Sequence, residues 1–338
     1  MGKTIAEKIL GEHAGHDLSA GEIAIVDVDV ALFQDGTGPL AVKQLESLGF
    51  DTLAHPERSV IFLDHAAPSP KKELSNDHVT LRRFAERTGA VLSDVGDGVC
   101  HQVINESYVN PGDVLIGSDS HTCTGGALSA FATGMGSTDV AMGMALGKTW
   151  MLIPPTFRID VNGRFPVGVY SKDLILHLIG LIGADGATYK ALEYGGPTVE
   201  AMSMSERFTL SNMAVEAGAK AGLIASDETT REYLEADGRG DKFRSIAPDA
   251  DAEYERVIQI DVARLEPTIA FPHAVDNTRT IGEAKGVAID QVVIGTCTNG
   301  RLADLKIAAS ILENRHRHSK TRLVVVPASR QVYLDALE

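Results

Sequence analysis

The sequence predicts an α/β protein built from several layered units. Three observations carry that expectation. Short apolar runs alternate with helical patterns, polar residues recur at the ends of those runs, and 338 residues exceed what one core accommodates. MGKTIAEKILGEHAGHD (1–17) reads as a short amphipathic helix, and EIAIVDVDVALF (22–33) as one strand. SVIFLDH (59–65) reads as a buried strand closed by Asp64 and His65, and NDHVTLRRFAERTG (76–89) as a capped helix with a closing glycine. DVLIGSDSHTCTGG (113–126) predicts a strand, a turn and the start of a small-residue helix continuing through ALSAFATGMGSTDVAMGMALG.

Two prolines and an Asn-Gly pair in MLIPPTFRIDVNGRFPVGV (151–169) predict a new unit opening with a hairpin. Residues 171–196 predict a helix, a glycine-rich turn and a strand, with His177 in the core, and 203–224 a helix opened by a serine cap. The charged segment 227–255 is expected at the surface. A second break falls near 264–277; VVIGTCTNG (292–300) then reads as a buried strand ending on Cys297, and 321–338 as a strand and helix. The expected units are 1–152, 153–266 and 267–338.

Hydrophobic residues at 44% and charged residues at 23% are globular proportions. The net charge of -15 speaks against a nucleic-acid partner, since phosphate binding draws on Lys and Arg patches. Residues 1–17 lack the features of a signal peptide, and no run reaches the length of a membrane span. The expectation is a cytoplasmic protein. Cys100, Cys123 and Cys297 make no framework of close spacings, so disulfides are not expected.

Polar residues at strand ends are where open α/β sheets place ligands. Asp64–His65 alone reads more readily as a helix cap beside a surface histidine than as a functional pair, and His101 in GVCHQV more readily as a satisfied core histidine. In GSDSHTCTGG, Asp119, Ser120, His121, Thr122 and Thr124 crowd one turn, more polar groups than a cap uses. That turn offers backbone donors to an anion and an Asp-His pair for proton transfer. Gln34 and Asp35 read as turn residues. Asn212 and Glu216, four apart, read as solvent-facing; His316 and His318 read as an exposed helix end. Cys297 stays open between filling, nucleophile and metal ligand.

FLDHAAP (62–68), GVCHQV (98–103), GSDSHTCTGG with FATGMGSTD (117–139), LSNMAVEAG (210–218) and VIGTCTNGR (293–301) together resemble the aconitase superfamily, in that family's order and across the whole chain. The resemblance implies three α/β/α-layered domains, the third incomplete, and a hydro-lyase that isomerises a hydroxy-diacid by removing and returning water. It implies a 4Fe-4S cluster on three cysteines, with Cys297 as one ligand. Asp64, His65, His101, Asp119, His121 and Glu216 then fall among the acid-base residues, and Gln34, Ser120, Thr124 and Asn212 near the substrate. Threonine at 124 favours the isopropylmalate branch, in leucine biosynthesis, over citrate; homoaconitate and 2,3-dimethylmalate are the competing substrates. The resemblance places two further cluster cysteines and the substrate-binding arginines beyond residue 338. It assigns the serine base and the selective loop to a separate small subunit, so a heteromer is expected. Without those cysteines, the chain by itself is expected to hold no complete cluster, and an inactive scaffold is a competing reading. Some aconitases bind RNA when the cluster is lost; the charge and the lack of a basic stripe oppose that role here.

Overall fold

The structure, a computed structural model, describes residues 2–338. Thr4 and Glu7 form a reciprocal capping box that starts the helix Ile5–Ala14, which buries Ile5, Ala6, Ile9 and Leu10. The single strand expected over 22–33 divides into β1 (Ile23–Asp27) and β2 (Val30–Gln34), which lie in different sheets. Asp29 makes the break: its Oδ2 accepts the Val114 N–H at 2.8 Å and meets His13 Nε2 at 2.7 Å.

β2, β3 (Ser59–Phe62), β4 (Val91–Ser93), β5 (Val114–Gly117) and β6 (Phe131–Gly134) form a parallel sheet of order β4-β3-β2-β5-β6. Both of its faces are covered, which explains the near-continuous apolar runs. Phe33 and Ile61 pack with Leu45, Leu81, Phe84 and Met144 of three helices on one face. Leu32, Val60 and Phe62 pack with Ile104 and Phe208 on the other. The chain runs from β2 toward β4 on one side and from β5 to β6 on the other, so the carboxyl ends of β2 and β5 border a crevice.

The small-residue stretch after β5 is not one helix. It folds as a 3-10 run Ser120–Leu128, then β6, then the helix Ser137–Leu146. Four glycines (125, 126, 134 and 136) interrupt it, and each weakens a helix relative to alanine. Gly126 also permits a close approach: a Cβ there would lie 1.9 Å from the Gly222 carbonyl oxygen. Gly126→Ala is therefore expected to cost about 1–3 kcal/mol through overpacking. Urea unfolding checks this, and an unchanged midpoint would contradict it.

β7 (Lys148–Leu152) returns to pair antiparallel with β1. The hairpin expected after it does not form. β8 (Thr156–Asn162) instead runs parallel to β9 (Ala191–Gly195), beside β10 (Ala221–Ile224) and β11 (Arg256–Asp261), in the order β10-β9-β8-β11. The chain leaves Asn162–Gly163 for the helix Ser171–Ile182, whose Leu174, Ile175, Leu178 and Ile179 need Ile159 and Val161 of the sheet as cover. His177 falls off that stripe and is exposed rather than in the core. The segment 227–255 is largely at the surface, as its charge predicts. Ala191, Ala221 and Leu223 of this sheet share a core with Ile5, Leu10 and Phe131, joining the two units.

After the antiparallel pair β12 (Thr268–Ala270) and β13 (Thr278–Thr280), β14 (Gln291–Ile294) pairs in parallel with β15 (Arg322–Val325). β14 was expected to be buried, yet Val293 is 55% exposed. The helix Leu302–Leu312 buries none of its residues. A two-stranded sheet with so few helices lacks a second layer to cover it among the described residues. No helix among them is long and apolar enough to cross a membrane.

Candidate active site

The carboxyl ends of β2, β3 and β5 deliver Asp35, Asp64–His65 and Asp119–His121 to one place. The helix Cys100–Ser107 adds His101, and the 3-10 turn Met213–Ala217 adds Glu216. Asp119 is the hub. Its Oδ1 meets His101 Nε2 at 2.7 Å and accepts the His121 N–H at 3.0 Å, and its Oδ2 lies 3.2 Å from His65 Nε2. His65 Nδ1 lies 2.9 Å from Asp64 Oδ1, whose other oxygen accepts the Cys100 N–H at 2.7 Å. His121 Nε2 lies 3.2 Å from Glu216 Oε1. Three carboxylate–imidazole pairs, Asp119–His101, Asp64–His65 and Glu216–His121, thus converge, with Asp119 also bridging to His65, and the His101 and His121 rings stand 6.1 Å apart.

Their electrostatics follow from these contacts. Bonds to Asp119 and then Asp64 raise His65 to about 10, against the cost of burial. Burial would raise Asp119, but His101 and His65 outweigh it and hold this carboxyl well below the usual range. The bond from His121 lowers Glu216. His101 Nδ1 is buried and has no partner among the described residues.

The expected substrate-side residues divide. Ser120 is exposed beside His121, its Oγ 3.4 Å from Nδ1. Gln34 is buried and turns its Oε1 back onto the Gly36 N–H. Thr124 and Asn212 are fully buried, where spacing alone put Asn212 in solvent. Thr124 Oγ1 donates to the His121 carbonyl and accepts from Asn212 Nδ2, and Asn212 Oδ1 accepts from Thr298 Oγ1 at 2.7 Å. This chain of bonds ties the His121 turn to the loop of Cys297.

Cys297 sits half-buried in the short helix Thr296–Asn299, and burial pushes its thiol up. Thr296, β-branched, holds φ at 73°, an uncommon strain immediately before the thiol. Cys100 and Cys123 are fully buried in helical turns, and burial drives Cys123 to about 12. Of the three cysteines, Cys297 alone is partly open; the residues present fit one thiolate corner of a cluster, not three.

Two supporting groups escaped the sequence. Asp35 Oδ1 and Oδ2 accept the N–H groups of His65 and Ala66, each at 2.9 Å, and Oδ2 meets the buried His78 at 2.8 Å. Asp35 could have been suspected from its place after β2; nothing local marks His78. The other is Arg301, whose burial nothing in VIGTCTNGR signals.

The sequence matches the aconitase family (aconitate hydratase) over residues 7–286 and 279–338. It is 62% identical to the 3-isopropylmalate dehydratase large subunit of Elusimicrobium minutum, over 100% of this chain and 81% of that protein. Large subunits named likewise from Thermotoga maritima and Archaeoglobus fulgidus are 54% and 53% identical, each again covered to 81%. The crystal structure of aconitase X from Thermococcus kodakaraensis superposes with a TM-score of 0.54 at 16% identity, covering 98% of this chain and 78% of that one, and so shares the fold. On the matched family and these identities, the chain belongs to the aconitase family.

Proposed function

We propose that this chain is the large, cluster-bearing subunit of a 3-isopropylmalate dehydratase, a hydro-lyase interconverting 2- and 3-isopropylmalate through loss and return of water. The observation that carries the proposal is the convergence of three carboxylate–imidazole pairs on the Asp119 turn beside Cys297. Dehydration of a hydroxy-diacid needs a proton delivered to a poor leaving group and charge stabilised as it develops. Asp119 holds His101 and His65 oriented for that delivery, and His65 keeps its proton at neutral pH. Glu216 orients His121 from the second unit. Ser120, exposed between Asp119 and His121, offers a hydroxyl to a substrate carboxylate.

Cys297 would be one ligand of a 4Fe-4S cluster, with two further thiolates from outside residues 1–338. When bound, the cluster supplies an open iron as a Lewis acid for the substrate hydroxyl. The small subunit, as a swivelling fourth domain, would bring the base that removes the carbon-bound proton. The division at 152/153 and 266/267 belongs to the same proposal; the five-stranded sheet falls within the first unit and the four-stranded sheet within the second.

The test uses the full-length large subunit, reconstituted anaerobically with iron and sulfide and combined with its small subunit. Isopropylmalate is expected to give the highest kcat/KM, ahead of homoaconitate and 2,3-dimethylmalate. Preference for one of the latter would reassign the substrate, and turnover of none would overturn the hydro-lyase.

A further inference from the structure

Two arginines are almost wholly excluded from solvent, and they are treated differently. Arg207, 0% exposed, makes a bidentate pair with Asp227, its Nη1 and Nη2 each 2.7 Å from a carboxylate oxygen. Arg301, 3% exposed, has no carboxylate within ion-pairing reach among the described residues. Its guanidinium donates only to neutral oxygens: Gln102 Oε1 at 3.0 Å and the carbonyls of Ser205, Thr298 and Cys297 at 3.3, 2.8 and 2.7 Å. The Phe208 ring lies 5.0 Å beneath it. Lys172, a half-buried lysine that also makes no ion pair, lines a neighbouring cavity with Asn299 and Asp304.

A buried cation without an anion is costly, and proteins pair or neutralise such groups. The four acceptors of Arg301 also come from three parts of the fold. Gln102 follows His101 on its helix, Ser205 belongs to the second unit, and Thr298 and Cys297 form the thiol's own loop. The fork therefore fixes the Cys297 carbonyl relative to the helix that carries His101 and places the guanidinium charge at the thiol's loop, while the Asp304 carboxylate accepts the Arg301 backbone N–H at 3.0 Å and not the fork.

We propose that Arg301 is the buried counter-cation of an anionic group bound at Cys297 and positions that thiol against His101. The inference rests on the proposed function, since a thiolate-held iron–sulfur cluster is the anion it matches. Net charge and hydrogen bonds near a cluster set its reduction potential, so removing the charge has an electrochemical signature that packing alone does not.

The experiment takes full-length large subunit, wild type and the variants Arg301→Met and Arg301→Lys, each reconstituted anaerobically. The reduction of the cluster is followed by electron paramagnetic resonance, and kcat and KM are measured with the small subunit. Arg301→Met is expected to shift the reduction equilibrium at least ~10-fold toward the oxidised form, which is 59 mV for one electron. Arg301→Lys keeps the charge but loses the fork. It is expected to hold the potential while kcat falls ~10-fold or more with KM little changed. An unchanged potential in Arg301→Met overturns the counter-cation. If that variant does not fold, Arg301→Lys decides alone: a potential shifted ~10-fold overturns the inference and a held potential supports it. Failure of the wild type to take up a cluster would instead overturn the functional proposal beneath it.

Discussion

Asp119→Asn is expected to lower kcat by roughly 10³-fold or more, within the range for loss of positioned acid–base groups. One carboxylate serves His101, His65 and the His121 N–H. The amide removes the charge from all three contacts while keeping nearly the same shape, so the fold is expected to persist and KM to change far less than kcat. The variant also has a titration signature. In the wild type, His65 is raised from 6.5 to about 10 by Asp119 and then Asp64. A raised histidine stabilises the folded state fully below its unfolded value, and that contribution fades as pH climbs from 6.5 toward about 10. In Asp119→Asn the His65 titration followed by NMR should move down by roughly one pH unit or more, and the fading should be complete at lower pH. An unmoved His65 titration, or a kcat within a few-fold of wild type, would refute the role of Asp119 as hub.

Cys297→Ser is expected to abolish the reaction, with a loss on the order of 10³-fold or greater if the bound metal supplies Lewis-acid and positioning effects together. The thiol is half-buried, and the Thr298–Asn212 bond and the Arg301 fork that hold its loop do not depend on sulfur. The variant should therefore fold with a near-native melting curve while losing the visible absorption of the cluster after anaerobic reconstitution. Cys123→Ser is the control. Cys123 donates to the Asn212 carbonyl in the core, so its loss is expected to lower stability and leave the cluster spectrum intact. Retained cluster in Cys297→Ser, or lost cluster in a folded Cys123→Ser, would contradict the assignment.

What the sequence discloses about this site depends on where each partner lies along the chain. Asp64 with His65, and Asp119 with His121, sit together at strand ends, so composition and position bring them to notice. The third carboxylate–imidazole pair joins His121 to Glu216, 95 residues later, and local spacing placed Glu216 in solvent. Asp35 and His78 are separated by 43 residues, and neither strand end nor helix periodicity signals that they meet under the His65 backbone. Asn212 and Thr124 look polar and therefore accessible, yet their side chains satisfy each other in a buried chain of bonds. The layered α/β class was legible from alternating runs, but element boundaries gave way where tertiary context outweighed pattern. Asp29 split a continuous apolar run, four glycines divided an apparent helix, and the Asn162–Gly163 turn fed a crossover helix instead of a hairpin. β14 was legible as a strand and not in its exposure, because burial depends on a covering layer that a local pattern does not contain.

In the proposed function the Asp119 turn and Cys297 form one dehydrating site. The most direct measurement is the rise in ultraviolet absorbance as an unsaturated diacid forms from 2-isopropylmalate, using reconstituted full-length large subunit with its small subunit. The wild type is expected to release the unsaturated acid and then 3-isopropylmalate, while Asp119→Asn carrying a full cluster releases it ~10³-fold more slowly. Equal rates in the two proteins, or no unsaturated product from a cluster-loaded wild type, would contradict the claim.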